Sequence, residues 1–264
     1  MRVSVITINY NNAEGLEQTI QSVVNQQFSD FEYIVIDGGS NDGSKQILQK
    51  YSDKITYWIS EPDKGIYEAM KKGIVKSKGE YLHFLNSGDI YADNDVLFNV
   101  FQNKEYSDPL LRGIQICNDK NGVFRWYNHG DRDITLYDLY TDTMQHQATF
   151  IKRTLFDKYG LYDERYKIVS DWKFFLQAIL GDETSFYLGI DIVIFDMTGM
   201  SNNPELHDLM YKERYAVFDE VIPKTIRPDY DRIIALEKEN QHLRRYKKYI
   251  KLGKFIHRLK GRPD

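Results

Sequence analysis

The N-terminal third of this chain is the part that most restricts its fold. Apolar, β-branched runs at 3–8, 31–37, 55–59 and 81–85 alternate with stretches of helical spacing, such as Leu16, Ile20, Val23 and Val24. A second such stretch carries Ile66, Ala69, Met70, Gly73 and Ile74. Strands alternating with helices predict an α/β domain with a mostly parallel central sheet and helices on both faces. The last three runs lead into turn clusters that contain Asp37, Asp63 and Asp89. In open α/β sheets ligands bind beyond the carboxyl ends of strands, so these three carboxylates stand at the expected ligand edge. A single such aspartate is ordinarily a turn or helix-cap residue. Repetition along one edge shifts the balance towards a site.

After Asp89 the rhythm changes. Val96, Leu97 and Val100 mark a helix, and runs at 110–118 and 123–129 flank Asp119-Lys120-Asn121-Gly122 as a hairpin-type insertion. Further strands are expected at 147–151, 185–188 and 190–195, with helical stretches at 153–159 and 171–180. No Gly/Ser-rich linker divides this part, which predicts one domain over 1–203. Residues 204–264 read as a helical extension, with a helix at 206–221, interruptions at Pro223 and Pro228, and a second helix from Tyr230.

Composition excludes several classes. A hydrophobic fraction of 42% supports a real core, and no run of 18 apolar residues predicts a membrane span. The N-terminus enters a strand-like run at once, without the apolar core of a signal peptide. One cysteine, Cys117, excludes an internal disulfide framework and is compatible with a reducing compartment. The net charge of -4 argues against a general nucleic-acid binder. The 20 tyrosines suit a sugar-binding cleft or, more plainly, a tyrosine-rich core.

Carboxylates at the sheet edge can accept hydrogen bonds from a base and from sugar hydroxyls, or hold Mg²⁺ or Mn²⁺ against substrate phosphates. The Gly-rich run at 38–43 has neither the GxGxxG spacing nor a GK[ST] ending, so it is neither a dinucleotide fingerprint nor a P-loop. Asp171 opens a predicted helix, as a partner for the helix dipole or as a general base. His146, beside Gln147, is either structural or turned into the same cleft. No HExxH or GxSxG motif occurs, and Cys117 has no evident histidine partner.

Four ordered blocks then carry a resemblance. They are Val3-Ser4-Val5-Ile6-Thr7-Ile8-Asn9-Tyr10-Asn11, Ile36-Asp37-Gly38-Gly39-Ser40-Asn41-Asp42-Gly43-Ser44, Ser60-Glu61-Pro62-Asp63-Lys64-Gly65-Ile66-Tyr67-Glu68-Ala69-Met70, and the stretch from Gly79-Glu80-Tyr81 to Asp89. The chain resembles family 2 glycosyltransferases with the GT-A fold, in the bacterial branch that builds capsule, exopolysaccharide and lipopolysaccharide sugars. The resemblance implies a cytoplasmic enzyme with a donor half at 1–100 and an acceptor half at 101–203. It implies that Thr7 and Asn9 line a nucleotide pocket, that Asp37 binds the base, commonly uracil, and that Asp63 and Lys64 lie beside base, ribose or phosphates. Asp89 matches the last aspartate of the family's metal-binding D-x-D element, here Ser87-Gly88-Asp89, whose first carboxylate is absent. Asp171 matches the catalytic base, next to Trp172, and Ser201 falls in a loop near the donor diphosphate.

The implied reaction is inverting transfer of a sugar from a nucleotide-diphospho-sugar, with Mn²⁺ or Mg²⁺ on the diphosphate. The acceptor is a saccharide or lipid-linked saccharide, selected by the hairpin, the His146 region and the Asp171 helix. The alternatives are a nucleotidyltransferase, for which the Gly-rich basic loop is missing, and a non-catalytic nucleotide-sugar binder. Nine basic residues fall within 243–262, interleaved with apolar ones. They form a solvated helix packed on the domain or, as the preferred reading, a peripheral contact with an anionic membrane on its inner face. No nucleic-acid partner is expected, and the sequence does not specify an oligomeric state.

Overall fold

A computed structural model describes residues 1–119, 122–197, 199 and 203–259. The side chains of residues 119 and 245–259 lie outside the described set. The chain divides into two compact units, Met1–Tyr215 and Ala216–Asp264.

In the first unit, β1 (Val3–Asn9), β2 (Phe31–Asp37), β3 (Tyr57–Ser60) and β4 (Tyr81–Phe84) lie parallel in the order β3-β2-β1-β4. Helices α1 (Ala13–Val24), α2 (Ser44–Lys50) and α3 (Ile66–Lys76) connect them. Alternation along β1 sends neighbouring residues to opposite faces. Val5 joins Leu16, Ile20 and Val23 of α1 in one core cluster. Ile6 packs on Gly73 of α3, where a Cβ would meet the isoleucine side chain. Asn12 fixes where α1 begins, because its side chain accepts from the Gly15 amide at 3.1 Å.

Beyond β4 the expected mostly parallel sheet gives way to a mixed one. β8 (Thr149–Lys152) runs antiparallel between β4 and β6 (Leu110–Asp119). β9 (Ser185–Phe195) is parallel to β6, while β5 (Ile90–Tyr91) is antiparallel to β9 and β7 (Gly122–Trp126) forms a hairpin on β6. Among the described residues, four strand pairs are parallel and four antiparallel. Strand–helix–strand units force parallel neighbours only as far as β4. Past it, neighbours such as β4 and β8 are remote in sequence, and periodicity carries no information about their direction. The strands expected at 185–188 and 190–195 are one continuous β9, crossing Gly189 at φ +70°.

The remaining helices of this unit are α4 (Val96–Phe101), α5 (Leu136–Thr141), α6 (Thr154–Tyr159), α7 (Ser170–Leu180) and most of α8 (His207–Val221). In the second unit, α9 (Arg227–Leu259) follows the end of α8. Pro228 sits in the first turn of α9, where its missing N–H costs nothing, so it opens this helix instead of interrupting it. Arg227 pairs with Asp219. No described helix is long and apolar enough to cross a membrane.

Arg112, in β6, braces the segment that leads to the site. It is 1% exposed, and its guanidinium donates to the carbonyls of Asn128, Gly130 and Arg132 and to Ser185 Oγ. Asn128, His129 and Gly130 all have positive φ (47°, 68° and 69°), a turn whose carbonyls converge on this side chain. Arg112→Met, which keeps the apolar stem but leaves those acceptors without their donor, is expected to lower unfolding free energy by about 3 kcal/mol in urea titrations. A loss below about 1 kcal/mol would show that water replaces the guanidinium.

Candidate functional site

Register brings the ends of the first strands together. Asn9 is level with Asp37 across β1 and β2, and Asp37 with Ser60 across β2 and β3. Asp37 is fully buried and accepts from Asn9 Nδ2 at 2.7 Å, Ser60 Oγ at 2.6 Å, Ser40 Oγ at 2.5 Å and the Ser40 amide at 3.0 Å. Burial raises its pKa, but hydrogen bonds from Ser40, Ser60 and Asn9 outweigh it and hold the carboxyl below its usual value. Asn9 Oδ1 is buried without a protein partner. Asp63 lies against Gly38, and its carboxyl is raised mainly by burial. Lys64 is exposed and lines a cavity of about 420 Å³ with Tyr57, Glu61 and Lys72. Thr7 is in the core, donating to the Leu85 carbonyl at 2.7 Å.

The second group is the turn after β4. Gly88 has φ +103°, a backbone conformation that suits glycine. A Cβ there would collide with Asp196 Oδ2, so the Asp196 carboxylate sits directly over the turn. Asp89 is 3% exposed, and its Oδ1 accepts from the Asp196 amide at 2.9 Å. Burial, with the Asp196 charge adding to it, pushes the Asp89 carboxyl up to about 8. The Ser87 carbonyl accepts from Asn12 Nδ2 at 3.1 Å, and Thr19 of α1 braces the turn, accepting from the Gly88 amide at 3.0 Å.

Among the described residues, no group of three or more His, Cys, Asp or Glu forms a metal cage. The donors at this turn are nevertheless hard oxygens: the carboxylates of Asp89 and Asp196, close enough to repel, and the buried, unpartnered Asn86 Oδ1 nearby in the chain. That set fits Mg²⁺ or Mn²⁺ whose other ligands come from substrate phosphate and water.

The third group surrounds Asp171, the second residue of α7. Its Oδ1 lies 2.8 Å from the Tyr67 hydroxyl, and its Oδ2 lies 3.9 Å from His146 Nδ1. His146 is 3% exposed, stacks on Phe84 of β4 at 4.8 Å, and has Nε2 2.8 Å from the Tyr162 hydroxyl. Burial lowers its pKa against the pull of Asp171, which keeps the ring neutral near pH 7. Asp171 itself keeps a side-chain exposure of 24%, so its carboxylate reaches solvent.

Trp172 points elsewhere: it is buried, donates from Nε1 to the Leu139 carbonyl at 2.9 Å, and is covered by the Arg214 guanidinium 4.3 Å from its ring. Ser201 lies outside the described residues. Sequence reasoning gave no role to Thr19, Tyr67, Tyr162, Asp196 or Glu213. Tyr67 stood inside a quoted block and could have been noticed there. The others reach the site through contacts between distant parts of the chain, which no local pattern announces.

This fold and these clusters can be set beside known proteins. A model of glycosyl transferase family 2 matches residues 4–165. An uncharacterized glycosyltransferase of Mycobacterium tuberculosis is 34% identical over 207 residues, covering 77% of this chain and 78% of that one. A PGL/p-HBAD biosynthesis glycosyltransferase of Mycobacterium bovis is 31% identical over 176 residues, covering 65% and 67%. Among solved structures, S. aureus TarS in complex with UDP superposes with a TM-score of 0.63 at 18% identity, covering 87% of this chain and 78% of that one. The mannosyltransferase PcManGT from Pyrobaculum calidifontis, in complex with GDP-Man and Mn²⁺, gives 0.60 at 15% identity, covering 87% and 68%. The structural likenesses speak for the fold; the sequence matches decide the family. The chain belongs to glycosyl transferase family 2, and it is a glycosyltransferase.

Proposed function

We propose that this protein transfers a sugar, with inversion, from a nucleotide-diphospho-sugar to a hydroxyl of a saccharide or lipid-linked saccharide. The observation that carries the reading is the solvent-reaching Asp171 carboxylate, held by Tyr67 from the helix that follows the Asp63 turn. The structural neighbours bound to UDP and to GDP-Man with Mn²⁺ support a nucleotide-sugar donor.

Residues 1–100 form the donor half. Asp37 organises Asn9, Ser40 and Ser60 into a polar floor for the base and ribose, with the unpartnered Asn9 Oδ1 available as an acceptor. Asp63 and Lys64 stand beside it, and Ser87 contributes its turn. Asp89 with Asp196 would hold a divalent cation, which when bound neutralises charge building on the leaving diphosphate. Residues 101–203 form the acceptor half. There Asp171 takes the proton of the attacking hydroxyl as that oxygen bonds to the anomeric carbon and the diphosphate departs from the opposite face. His146, neutral and stacked on Phe84, walls the far side of the carboxylate, and Trp172 acts from beneath by fixing α7. The basic residues of 243–262 would bring the enzyme to the cytoplasmic face of an anionic membrane and so to a lipid-linked acceptor.

Thermal unfolding with UDP, GDP and their sugars, each with and without Mn²⁺, tests the donor site. One nucleotide is expected to raise the midpoint by several degrees in a Mn²⁺-dependent way, consistent with about 3 kcal/mol at a hundredfold excess over Kd. Asp89→Ala is expected to abolish the Mn²⁺-dependent part. Absence of any nucleotide response would remove the reading.

A further inference from the structure

We propose that Tyr67 is a positioning residue for Asp171, orienting the carboxylate for proton removal and tying it to the donor-side turn. The inference rests on the assignment of Asp171 as general base.

Tyr67 is the second residue of α3, which starts directly after Gly65, and the Gly65 amide donates to Asp63 Oδ1 at 3.0 Å. The turn that carries Asp63 and Lys64 is therefore two residues from a side chain that reaches 104 positions along the sequence to Asp171. The ring is 5% exposed and packs on Tyr162 at 5.7 Å, which fixes the direction of the hydroxyl. That hydroxyl has one proton and two acceptors, Asp171 Oδ1 at 2.8 Å and the Ile168 carbonyl at 2.6 Å. Shared between the two acceptors, that proton holds Oδ1 against Tyr67 and leaves Oδ2 as the oxygen that accepts a substrate proton.

Ile168 is itself anchored from the other side. Glu213 of α8 accepts from the Lys167 amide at 2.8 Å and the Ile168 amide at 2.9 Å, and Glu213 is 8% exposed. The strand of chain leading into Asp171 thus hangs between Tyr67 and Glu213, with Arg214 over Trp172 just beyond. A purely structural tyrosine would need only one acceptor for its buried hydroxyl, and the Ile168 carbonyl supplies it. The second acceptor, a solvent-reaching carboxylate, is what marks the hydroxyl as part of the reaction geometry.

The test is a double-mutant cycle between Tyr67→Phe and Asp171→Asn on the full chain. Turnover is read as UDP or GDP release from UDP-glucose, UDP-N-acetylglucosamine and GDP-mannose with Mn²⁺, in water and with alkyl glycosides as acceptors. Tyr67→Phe is expected to lower kcat about tenfold with donor KM changed less than about twofold, and to have almost no further effect in the Asp171→Asn background. An equal loss in both backgrounds would make Tyr67 structural and overturn the proposal, as would an unchanged kcat. If Tyr67→Phe fails to fold, Glu213→Gln replaces it in the same cycle, with an expected loss of about threefold that again vanishes beside Asp171→Asn. Full activity in Asp171→Asn alone would instead defeat the base assignment, a separate failure. Nucleotide release by the unmodified chain from none of the three donors would defeat the donor reading, and this inference with it.

Discussion

Asp171→Asn is expected to lower kcat by about 10³-fold while leaving nucleotide binding intact, the usual size of a general-base contribution. The substitution is chosen because it is isosteric. An asparagine Oδ1 still accepts from Tyr67, and the side chain remains at the start of α7, so the local geometry has no reason to change. What disappears is the ability to take a proton. The nucleotide-induced midpoint shift, which reports on the proposed donor half and not on Asp171, should match that of the unmodified chain. Loss of both turnover and nucleotide binding would point to collapse of the site; turnover within about threefold of normal would reassign the base.

The second large effect is on stability in acid. His83 is fully buried in β4, with Nε2 2.9 Å from the Gln147 carbonyl and Nδ1 2.9 Å from the Tyr91 hydroxyl. A carbonyl can only accept, so Nε2 carries the proton and Tyr91 donates to Nδ1. Burial pulls the His83 pKa down to about 3, and burial lowers that of His146 as well. Below about pH 6.5 the unfolded chain binds a proton at His83 that the folded chain refuses, and the lowered pKa of His146 acts in the same direction. Folding stability therefore falls as pH is lowered, by up to about 1.4 kcal/mol per unit for His83, with His146 adding in the same direction.

Asp89 opposes this. Its carboxyl, raised to about 8, stays protonated in the metal-free fold while the unfolded chain ionises near 4, so its contribution falls as pH rises between those values. A comparison of variants isolates the histidine contribution. His83→Gln keeps a donor for Gln147 and an acceptor for Tyr91, and is expected to reduce the slope of stability between pH 4.5 and 6.5 by about 1.4 kcal/mol per unit. Urea denaturation at three pH values reads it. An unchanged slope would mean that His83 titrates in the folded state.

Much of this was open to reading from local pattern. The runs that became β1 to β4 are four to seven residues long and separated by helical spacing, and their ends delivered Asp37, Asp63 and Asp89 to one edge. The hairpin at 110–126 was signalled by Asp119-Lys120-Asn121-Gly122. The direction of β8 was not readable, because its partners lie about 40 to 70 positions away and no crossover helix imposes a sense. Strand β5 is two residues long, and α5 has six residues held by a Thr135–Asp138 capping box, both too short for periodicity to show. Asp196 escaped for another reason. Its relation to Asp89 is made by the β5–β9 pairing, which sets Ile90 against Ile194. Trp172 was noticed for its position next to Asp171, but neighbours along a helix face different ways, and its indole went into the core.

The hairpin strand β7 has a consequence of its own. It pairs with β6, all five of its residues are exposed, and the outer half of β6 pairs independently with β9 through Gln115, Ile116 and Cys117. Among its ties to β9 is the solvent-exposed Arg125–Asp191 pair, which water and salt screen. Side-chain substitution in β7 is therefore expected to disturb the fold less than substitution in β6, although Val123, Phe124 and Trp126 present large apolar groups to the outside. In evolutionary terms this arm can drift, lengthen or be exchanged between relatives while the sheet beneath it stays under the constraint of its core.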